Sequence, residues 1–269
     1  MILTLDVGNT QILGGLFNKD ELILQFRKTT KQSFSSDEIG LFLKSVLREN
    51  EYDPMLIEDV VLCSVVPDRN HSIMNGIRKY FNLAPLILEA GVKTGLKIKY
   101  KNPHEVGSDR IANAVAATKK FPNQNLIIVD FGTATTFCVI SKSSEYLGGV
   151  IIPGIRISME GLEKQTAKLP RVEIKSTDLS YGKTTIESIQ IGLYHGQIGM
   201  VKEITKKIIN EAFQGVKPVV IGTGGFSSLF ANSGLFDNVD ANLVLHGLYE
   251  TLKMNRSIDE TNTIKIENS

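Results

Sequence analysis

Two segments of the sequence share one pattern, an apolar strand that ends in an aspartate and leads into a glycine and a threonine. Residues 2–10 read ILTLDVGNT, and residues 125–133 read NLIIVDFGT. Further apolar runs separated by turn residues follow each segment, which predicts a strand meander at the start of each half. Internal repetition outweighs any single motif. The sequence therefore predicts an α/β protein of two duplicated halves, each a mixed sheet with helices, facing one another across a cleft.

Hydrophobic periodicity predicts the other elements. Strands are predicted over residues 2–6, 12–17, 21–27, 60–66, 85–88, 125–130, 135–141, 145–152 and 218–222. Helices are predicted over residues 39–48, 71–81, 111–121, 156–168 and 185–213. We expect an N-terminal half over residues 1–121, a C-terminal half over residues 122–255, and a disordered tail over the polar residues 256–269.

Composition limits what the chain can bind. The 30 basic and 29 acidic residues leave a net charge of +1, which gives no electrostatic reason to bind nucleic acid or a membrane surface. No window approaches the roughly 20 apolar residues that span a bilayer, and the N-terminus lacks the basic region of a signal peptide. We therefore expect a cytoplasmic protein. Cys63 and Cys138 lie in apolar runs and are expected to be buried free thiols.

The two aspartate–glycine turns carry groups that suit a polyphosphate. The backbone N–H groups of Gly8, Asn9 and Thr10 can surround phosphate oxygens, and Asp6 would hold Mg²⁺, often through water. Residues 130–136, DFGTATT, offer the same groups again. One such turn alone is more simply a polar hairpin, but two can grip both ends of a polyphosphate. The chain contains neither GxxxxGK[ST] nor GxGxxG, which excludes a P-loop and disfavours a dinucleotide fold.

Three further segments offer binding groups. In residues 100–110, YKNPHEVGSDR, Ser108 is predicted to cap a helix whose first turn holds Asp109 and Arg110. The helix N-terminus would stabilise ionised Asp109, and Arg110 could bind a carboxylate; a purely structural capping role for Asp109 is the alternative. A capping box at residues 184–187 predicts the start of a long helix with Thr185 in its first turn. Glycines in residues 221–225 would let adenine or ribose lie against the backbone.

These motifs together resemble the type III pantothenate kinases, members of the actin and sugar-kinase superfamily with ribonuclease H-like halves. The resemblance covers Asp6 to about Leu248. The aspartate–glycine turns are shared by the superfamily, whereas Tyr100 with Asn102-Pro103 and the GSDR of residues 107–110 are specific to the family. Further matching segments are residues 148–149, 153–154, 169–170, 182–187 and 223–225.

The resemblance implies ATP-dependent phosphorylation of pantothenate at its primary hydroxyl to 4′-phosphopantothenate, the first step of coenzyme A biosynthesis. It implies that Asp109 is the proton acceptor and that Asp130 binds a monovalent cation, K⁺ or NH₄⁺. The implied ATP contacts are Asp6, Val7, Gly8, Asn9, Thr10, Gln11, Ile12, Leu13 and Thr133. The implied pantothenate contacts are Tyr100, Gly107, Ser108, Asp109, Arg110 and Thr185. The family further implies a homodimer.

The chain departs from the family pattern at a few positions. Cys138 stands where an acid is common, which removes a candidate acidic ligand, and His246 stands where glutamate is frequent. Ser108 and Thr184 replace the frequent alanine and asparagine. Two other functions stay open: a superfamily kinase or phosphatase acting on a sugar, acetate or polyphosphate, and a catalytically idle regulator of gene expression. Intact Asp6, Asp109, Arg110 and Asp130 favour an enzyme.

Overall fold

The fold is described from a computed structural model that gives the backbone of residues 1–266 and the side chains of residues 1–256. The chain divides into two compact units. Unit 1 comprises Met1–Leu96, Asn102–Ala116 and the chain from Val244 onwards, and unit 2 comprises Lys97–Lys101 and Ala117–Leu243. These bounds differ from the expected division at residue 121, because residues 97–101 join the sheet of unit 2 and the C-terminal helix packs in unit 1.

Unit 1 is built on a five-stranded sheet. Strands β1 (Ile2–Val7), β2 (Gln11–Asn18) and β3 (Glu21–Thr29) form an antiparallel meander. Strand β4 (Asp59–Ser64) is parallel to β1, and β5 (Leu86–Ile87) is parallel to β4. The strand order is therefore β3-β2-β1-β4-β5. The helices are α1 (Ser36–Glu49), α2 (Pro67–Phe81), the start of α3 (Ser108–Lys120) and α6 (Leu243–Ile266).

Successive side chains of β1 point to opposite faces of the sheet, and each face packs against a different group of helices in unit 1. Leu3, Leu5 and Val7 join the core with residues of α1 and α2. Thr4 and Asp6 point to the opposite face. On that face α6 packs with Phe17 and Cys63 in a second apolar cluster. Asp6 therefore lies at the end of the sheet face that carries α6.

Unit 2 contains a six-stranded sheet. The strands β7 (Leu126–Phe131), β8 (Ala134–Ile140) and β9 (Glu145–Pro153) form the second antiparallel meander. Strand β10 (Val219–Thr223) is parallel to β7, β11 (Asn238–Val239) is parallel to β10, and β6 (Lys97–Ile98) is parallel to β9. The helices α4 (Ile155–Gln165) and α5 (Thr185–Phe213) share a core with β7 and β8.

The two sheets repeat one topology, which confirms the predicted duplication. The strand order β3-β2-β1-β4-β5 of unit 1 corresponds to β9-β8-β7-β10-β11 of unit 2, with β6 added at one edge. Asp6 and Asp130 are each the last residue but one of the first strand of their meander. Repetition in the sequence thus corresponds to repetition in the fold.

The largest differences from the prediction are at two helices, and the short strands β6 and β11 are not predicted either. Helix α2 begins at Pro67, four residues earlier than predicted, because a proline that stops a strand also suits the first position of a helix. Helix α6 is not predicted, although Leu245, Leu248, Tyr249 and Leu252 have helical spacing and are buried in unit 1. The expected tail begins within α6, which continues to Ile266, and residues 267–269 lie outside the described residues. No described helix is long and apolar enough to cross a membrane.

Candidate active site

The first turn lies between β1 and β2 and is braced by its own backbone and by Thr30. The N–H group of Gly8 donates to the carbonyl of Gln11 (3.1 Å), and the Thr30 hydroxyl donates to the carbonyl of Gly8 (2.8 Å). The hairpin therefore already engages the Gly8 N–H that the sequence assigns to phosphate. Ile12 and Leu13 are buried in the core of unit 1, so only their backbone groups could face a ligand.

Asp6 lies beside Cys63. The two residues are register partners on the parallel strands β1 and β4, and the Cys63 thiol donates a hydrogen bond to Oδ1 of Asp6 over 3.3 Å. Burial, and after it the negative charges of Asp6 and Asp109, raise the pKa of the Cys63 thiol well above its usual value. The Ser108 hydroxyl bonds the backbone of Ser64, the residue after Cys63, so unit 1 places Asp6 and Asp109 at the same end of β4.

Helix α3 positions Asp109 differently from the prediction. Ser108 is the first residue of the helix rather than its cap, and its hydroxyl bonds the N–H (3.2 Å) and the carbonyl (3.1 Å) of Ser64. This pair of bonds fixes the start of α3 to the end of β4. A Cβ atom on Gly107 would lie 2.5 Å from Oδ1 of Asp109, so the glycine leaves room for the carboxylate.

Burial dominates the electrostatics of Asp109. It raises the pKa of Asp109, while the hydrogen bond from the N–H of Arg110 (2.8 Å) and the charge of Arg110 lower it less. The expectation that the helix N-terminus would stabilise ionised Asp109 is therefore outweighed by desolvation. Arg110 itself is only 7% exposed. Such a carboxylate can take up a proton more readily than an exposed aspartate.

Tyr100 lies in unit 2, directly after β6. Its ring contacts the buried ring of Tyr146 edge to face, with 6.4 Å between centroids. The backbone N–H of Lys99 donates to the carbonyl of Tyr146 (2.9 Å). In unit 1, the Asn102 side chain accepts from the backbone N–H of His104 and donates to the Glu105 carboxylate, which stabilises the following turn. The family-specific segment is thus held by β9 on one side and by its own turn on the other.

The second aspartate turn is enclosed by two glycines of unit 2. A Cβ atom on Gly154 would overlap the carbonyl oxygen of Thr133. Gly224 has φ +88°, and a Cβ atom there would overlap Oδ1 of Asp130. The glycine segment predicted to back adenosine therefore also packs against Asp130. On the parallel strands β7 and β10, Asp130 has Thr223 as its register partner, as Asp6 has Cys63.

Helix α5 begins as predicted, at Thr185. The hydroxyl of Thr184 accepts from the N–H of Glu187 (3.2 Å), but Glu187 accepts from the N–H of Lys183 (2.8 Å), so only half of the expected capping box forms. Thr185 is exposed and lines a cavity of about 720 Å³ with Gly182 and other residues. Further along the helix, the buried amide of Gln197 donates to the hydroxyl of Thr135. One helix thus links Thr185 to the second aspartate turn.

Sequence reasoning missed several residues that hold the site. They are Thr30, Cys63 and Gln197. The sequence predicts only a core role for Cys63, and the signal that could find it is its place in β4, one residue before the end of the strand beside β1. Gln197 gives no such signal, because its partner Thr135 is 62 residues away along the chain.

The described residues suit a metal that arrives with its nucleotide. Among them no group of three or more histidine, cysteine, aspartate and glutamate side chains could hold a metal ion. Mg²⁺ in phosphoryl-transfer sites is usually bound by one or two carboxylates together with substrate phosphates and water. Asp6 fits this pattern. Oδ1 of Asp130 lies beside Gly224 and Gly132, and its carboxylate is a group that could hold a cation.

Comparison with known proteins identifies the family. Residues 2–207 match the family model of the type III pantothenate kinases. A type III pantothenate kinase of Legionella pneumophila (strain Corby) is 55% identical over 255 residues, which cover 95% of this chain and 99% of that protein.

Solved structures give the same fold. A Campylobacter jejuni protein described as a Baf family transcriptional activator has a TM-score of 0.58 at 20% identity and covers 95% of this chain and 99% of its own. A Sinorhizobium meliloti protein described as a 2-dehydro-3-deoxygalactonokinase has a TM-score of 0.59 at 9% identity, with 94% and 99% covered. These structural likenesses support the predicted sugar-kinase-like fold class. From the family model and the Legionella relative, the chain belongs to the type III pantothenate kinase family.

Proposed function

We propose that the chain transfers the terminal phosphoryl group of ATP to the primary hydroxyl of pantothenate, which forms 4′-phosphopantothenate at the first step of coenzyme A biosynthesis. As a member of its family the chain is a kinase, with pantothenate and ATP as substrates. The observation that carries the proposal is the placement of Asp6 and of the start of α3, which holds Asp109, at the same end of β4 in unit 1. One carboxylate suits a metal–nucleotide complex, and the other suits an alcohol. ATP as donor makes a cytoplasmic location part of the proposal.

Asp109 is the proposed proton acceptor. Phosphoryl transfer passes through a loose transition state, so the attacking hydroxyl needs little activation beforehand. The half-buried carboxylate of Asp109 orients the hydroxyl and accepts its proton late in the step, and a raised pKa favours that transfer. Mg²⁺ bound with ATP would neutralise charge that develops on the phosphate oxygens.

The first turn binds the phosphates of ATP in this proposal. Since the N–H of Gly8 is used within the hairpin, phosphate recognition falls to the backbone of Asn9 and Thr10 and to the Thr10 hydroxyl. Asp6 would hold Mg²⁺ through water. The backbone of the remaining residues completes the loop; these residues are Val7, Gln11, Ile12 and Leu13.

The second turn and the family-specific segment supply the other contacts. In unit 2, Thr133 contacts ATP and Asp130 binds K⁺ or NH₄⁺, while Tyr100 and Thr185 contact pantothenate. In unit 1, Arg110 binds the pantothenate carboxylate through its planar fork, and Gly107 and Ser108 line the same site through their backbone. The Ser108 hydroxyl is engaged by Ser64.

A homodimer is part of the proposal. Unit 2 exposes several large apolar side chains, namely Ile151, Ile157, Leu162, Ile186 and Met200. Ile186 and Met200 lie on α5, where a Cβ atom on Gly192, Gly196 or Gly199 would meet no described atom within 4 Å. Such an apolar surface suits a second copy of the chain. Light scattering at micromolar concentration should give a dimer of twice the 29.6 kDa chain mass, and a monomer alone would contradict this part.

A coupled assay of ADP formation tests the function. With ATP, Mg²⁺ and K⁺ present, ADP should form only when pantothenate is added. Glucose, acetate and polyphosphate acceptors serve as controls for the other superfamily activities. ADP formation that does not depend on pantothenate, or that follows one of these acceptors instead, would contradict the proposal.

A further inference from the structure

The Cys63 thiol is bonded to one carboxylate of the site. It is completely buried near the end of β4, and it donates to Oδ1 of Asp6 over 3.3 Å. The next residue, Ser64, is bonded by the hydroxyl of Ser108, which precedes Asp109 in the chain. A cysteine that only filled the core would need no such neighbours, because a thiol is a weak donor that packs like a small apolar group.

Strand pairing aims the thiol at Asp6. Asp6 and Cys63 are register partners on β1 and β4, and Sγ of Cys63 lies 3.3 Å from Oδ1 of Asp6. Cys63 belongs to an apolar cluster that also contains Phe17, Ala112 and Leu248. The S–H bond can therefore fix the orientation of the Asp6 carboxylate.

The duplication of the fold gives an independent indication. Thr223 in unit 2 has the same relation to Asp130 that Cys63 has to Asp6, as register partner on the neighbouring parallel strand. Thr223 is also buried. Both halves thus place a small side chain with a donor hydrogen beside the aspartate of the turn. A side chain needed only for packing would not have to be a donor in either half.

We propose that Cys63 is a positioning residue for phosphoryl transfer: its thiol holds the Asp6 carboxylate in the orientation in which Asp6 meets the metal–nucleotide complex, apart from Asp109. The inference rests on the proposed function, because it takes Asp6 as the residue that faces Mg²⁺. Cys63 itself touches neither substrate in this proposal. Its effect should therefore appear in nucleotide binding that depends on Mg²⁺ and not in binding of pantothenate.

The test compares variants that keep or remove the donor. Cys63→Ser keeps a donor of similar size, whereas Cys63→Ala and Cys63→Val remove it, the second without leaving a cavity. Cys138→Ala is the matched control, since Cys138 is the other buried free thiol and lies in unit 2. Binding of the non-hydrolysable analogue AMP-PNP is measured by calorimetry with and without Mg²⁺, together with the KM values of ATP and pantothenate and the melting temperature.

We expect Cys63→Ala and Cys63→Val to weaken Mg²⁺-dependent AMP-PNP binding about tenfold, the effect of losing one hydrogen bond to a carboxylate. Cys63→Ser should stay within about threefold of the wild type, because a hydroxyl makes the same bond. The KM for pantothenate should change less than about twofold in all variants. Cys138→Ala should lower only the melting temperature.

Two results would overturn the inference. One is Mg²⁺-dependent binding at the wild-type level in whichever of Cys63→Ala and Cys63→Val folds. The other is a loss of Mg²⁺-dependent binding of about tenfold or more in Cys63→Ser, which can be measured against the wild type even when neither apolar variant folds. AMP-PNP binding needs no pantothenate, so failure of the inference is separate from failure of the proposed function, which the wild-type assay reports.

Discussion

Gly224 lies directly against the carboxylate of Asp130. A Cβ atom on Gly224 would overlap Oδ1 of Asp130 and come within 2.7 Å of the N–H nitrogen of Phe131. The residue also has a positive φ of 88°, a backbone angle that residues with a side chain rarely adopt. The Asp130 carboxylate can therefore occupy its position beside the turn that follows β10 only because residue 224 has no side chain.

This contact predicts the effect of Gly224→Ala. The added methyl group displaces the Asp130 carboxylate, so we expect the K⁺ concentration for half-maximal activity to rise at least about tenfold, as when one charged ligand contact is lost. Activity is measured at constant ionic strength with K⁺ replaced by a large organic cation. Gly161→Ala is the control, because a Cβ atom at Gly161 meets no described atom within 4 Å. If the wild type is equally active without K⁺, the proposed role of Asp130 is contradicted.

Asp109→Asn should separate catalysis from structure. Asparagine keeps the shape and can still accept the hydrogen bond from the Arg110 N–H, but it cannot take a proton. We expect kcat to fall roughly 10²- to 10⁴-fold, as for loss of a general base. The KM for ATP should stay near its wild-type value, because Asp109 is assigned to the alcohol. A folded variant that turns over pantothenate within a few fold of the wild type would leave Asp109 with a structural role only.

The raised pKa of Asp109 also predicts how stability depends on pH. The folded protein binds the Asp109 proton more tightly than the unfolded chain, whose aspartate has a pKa of about 4. Wild-type stability from this group is therefore lost as pH rises from about 4 through the raised pKa. Asp109→Asn should be more stable than the wild type near pH 7, and the difference should shrink as pH falls toward 4. Denaturant unfolding at several pH values measures it, and a less stable variant at pH 7 would contradict the effect of burial.

Arg110→Lys tests the carboxylate contact while keeping the charge. A lysine cannot make the paired bonds of a guanidinium, so we expect the KM for pantothenate to rise about tenfold. The KM for ATP should stay near the wild-type value. Arg256→Lys is a control, since Arg256 pairs with Asp59 in unit 1, away from the aspartate turns. Equal KM values for pantothenate in both variants, with a lower melting temperature for Arg110→Lys, would indicate that Arg110 is structural.

The buried pair of Gln197 and Thr135 predicts a non-additive loss of stability. Gln197→Leu leaves the Thr135 hydroxyl buried without its donor, which should cost about 1–3 kcal/mol in the free energy of unfolding. The double variant with Thr135→Val removes both polar groups and should recover much of that loss. Denaturant titration of the two single variants and the double variant measures the coupling. Additive effects would show that the hydrogen bond contributes little.

The sequence predicts local structure well where one signal decides it. The β1–β2–β3 meander and the bounds of α5 follow from alternation, turn residues and the cap at Thr184. Helix α6 is missed because its polar C-terminal half obscures the apolar spacing of its first turns. The unit boundaries are missed because the packing of α6 with Phe17 joins residues more than 200 positions apart, which no local pattern reports.

At the site, the residue types are predictable but their partners are not. The aspartates and Arg110 follow from chemistry and from resemblance. The use of the Ser108 hydroxyl by Ser64, and the effect of burial on Asp109, depend on how α3 meets the end of β4. Contacts of this kind are fixed by tertiary packing, which adds desolvation and competing partners that a motif does not contain.

The single helix α5 carries both Thr185, at its first position, and Gln197, which bonds Thr135. Twelve residues of α-helix span about 18 Å, and each added or deleted residue rotates the remainder of the helix by about 100°. One insertion between these positions would move Gln197 off the face that meets Thr135. Substitution of the exposed side chains of this segment should therefore be tolerated, whereas a change in its length would separate Gln197 from Thr135.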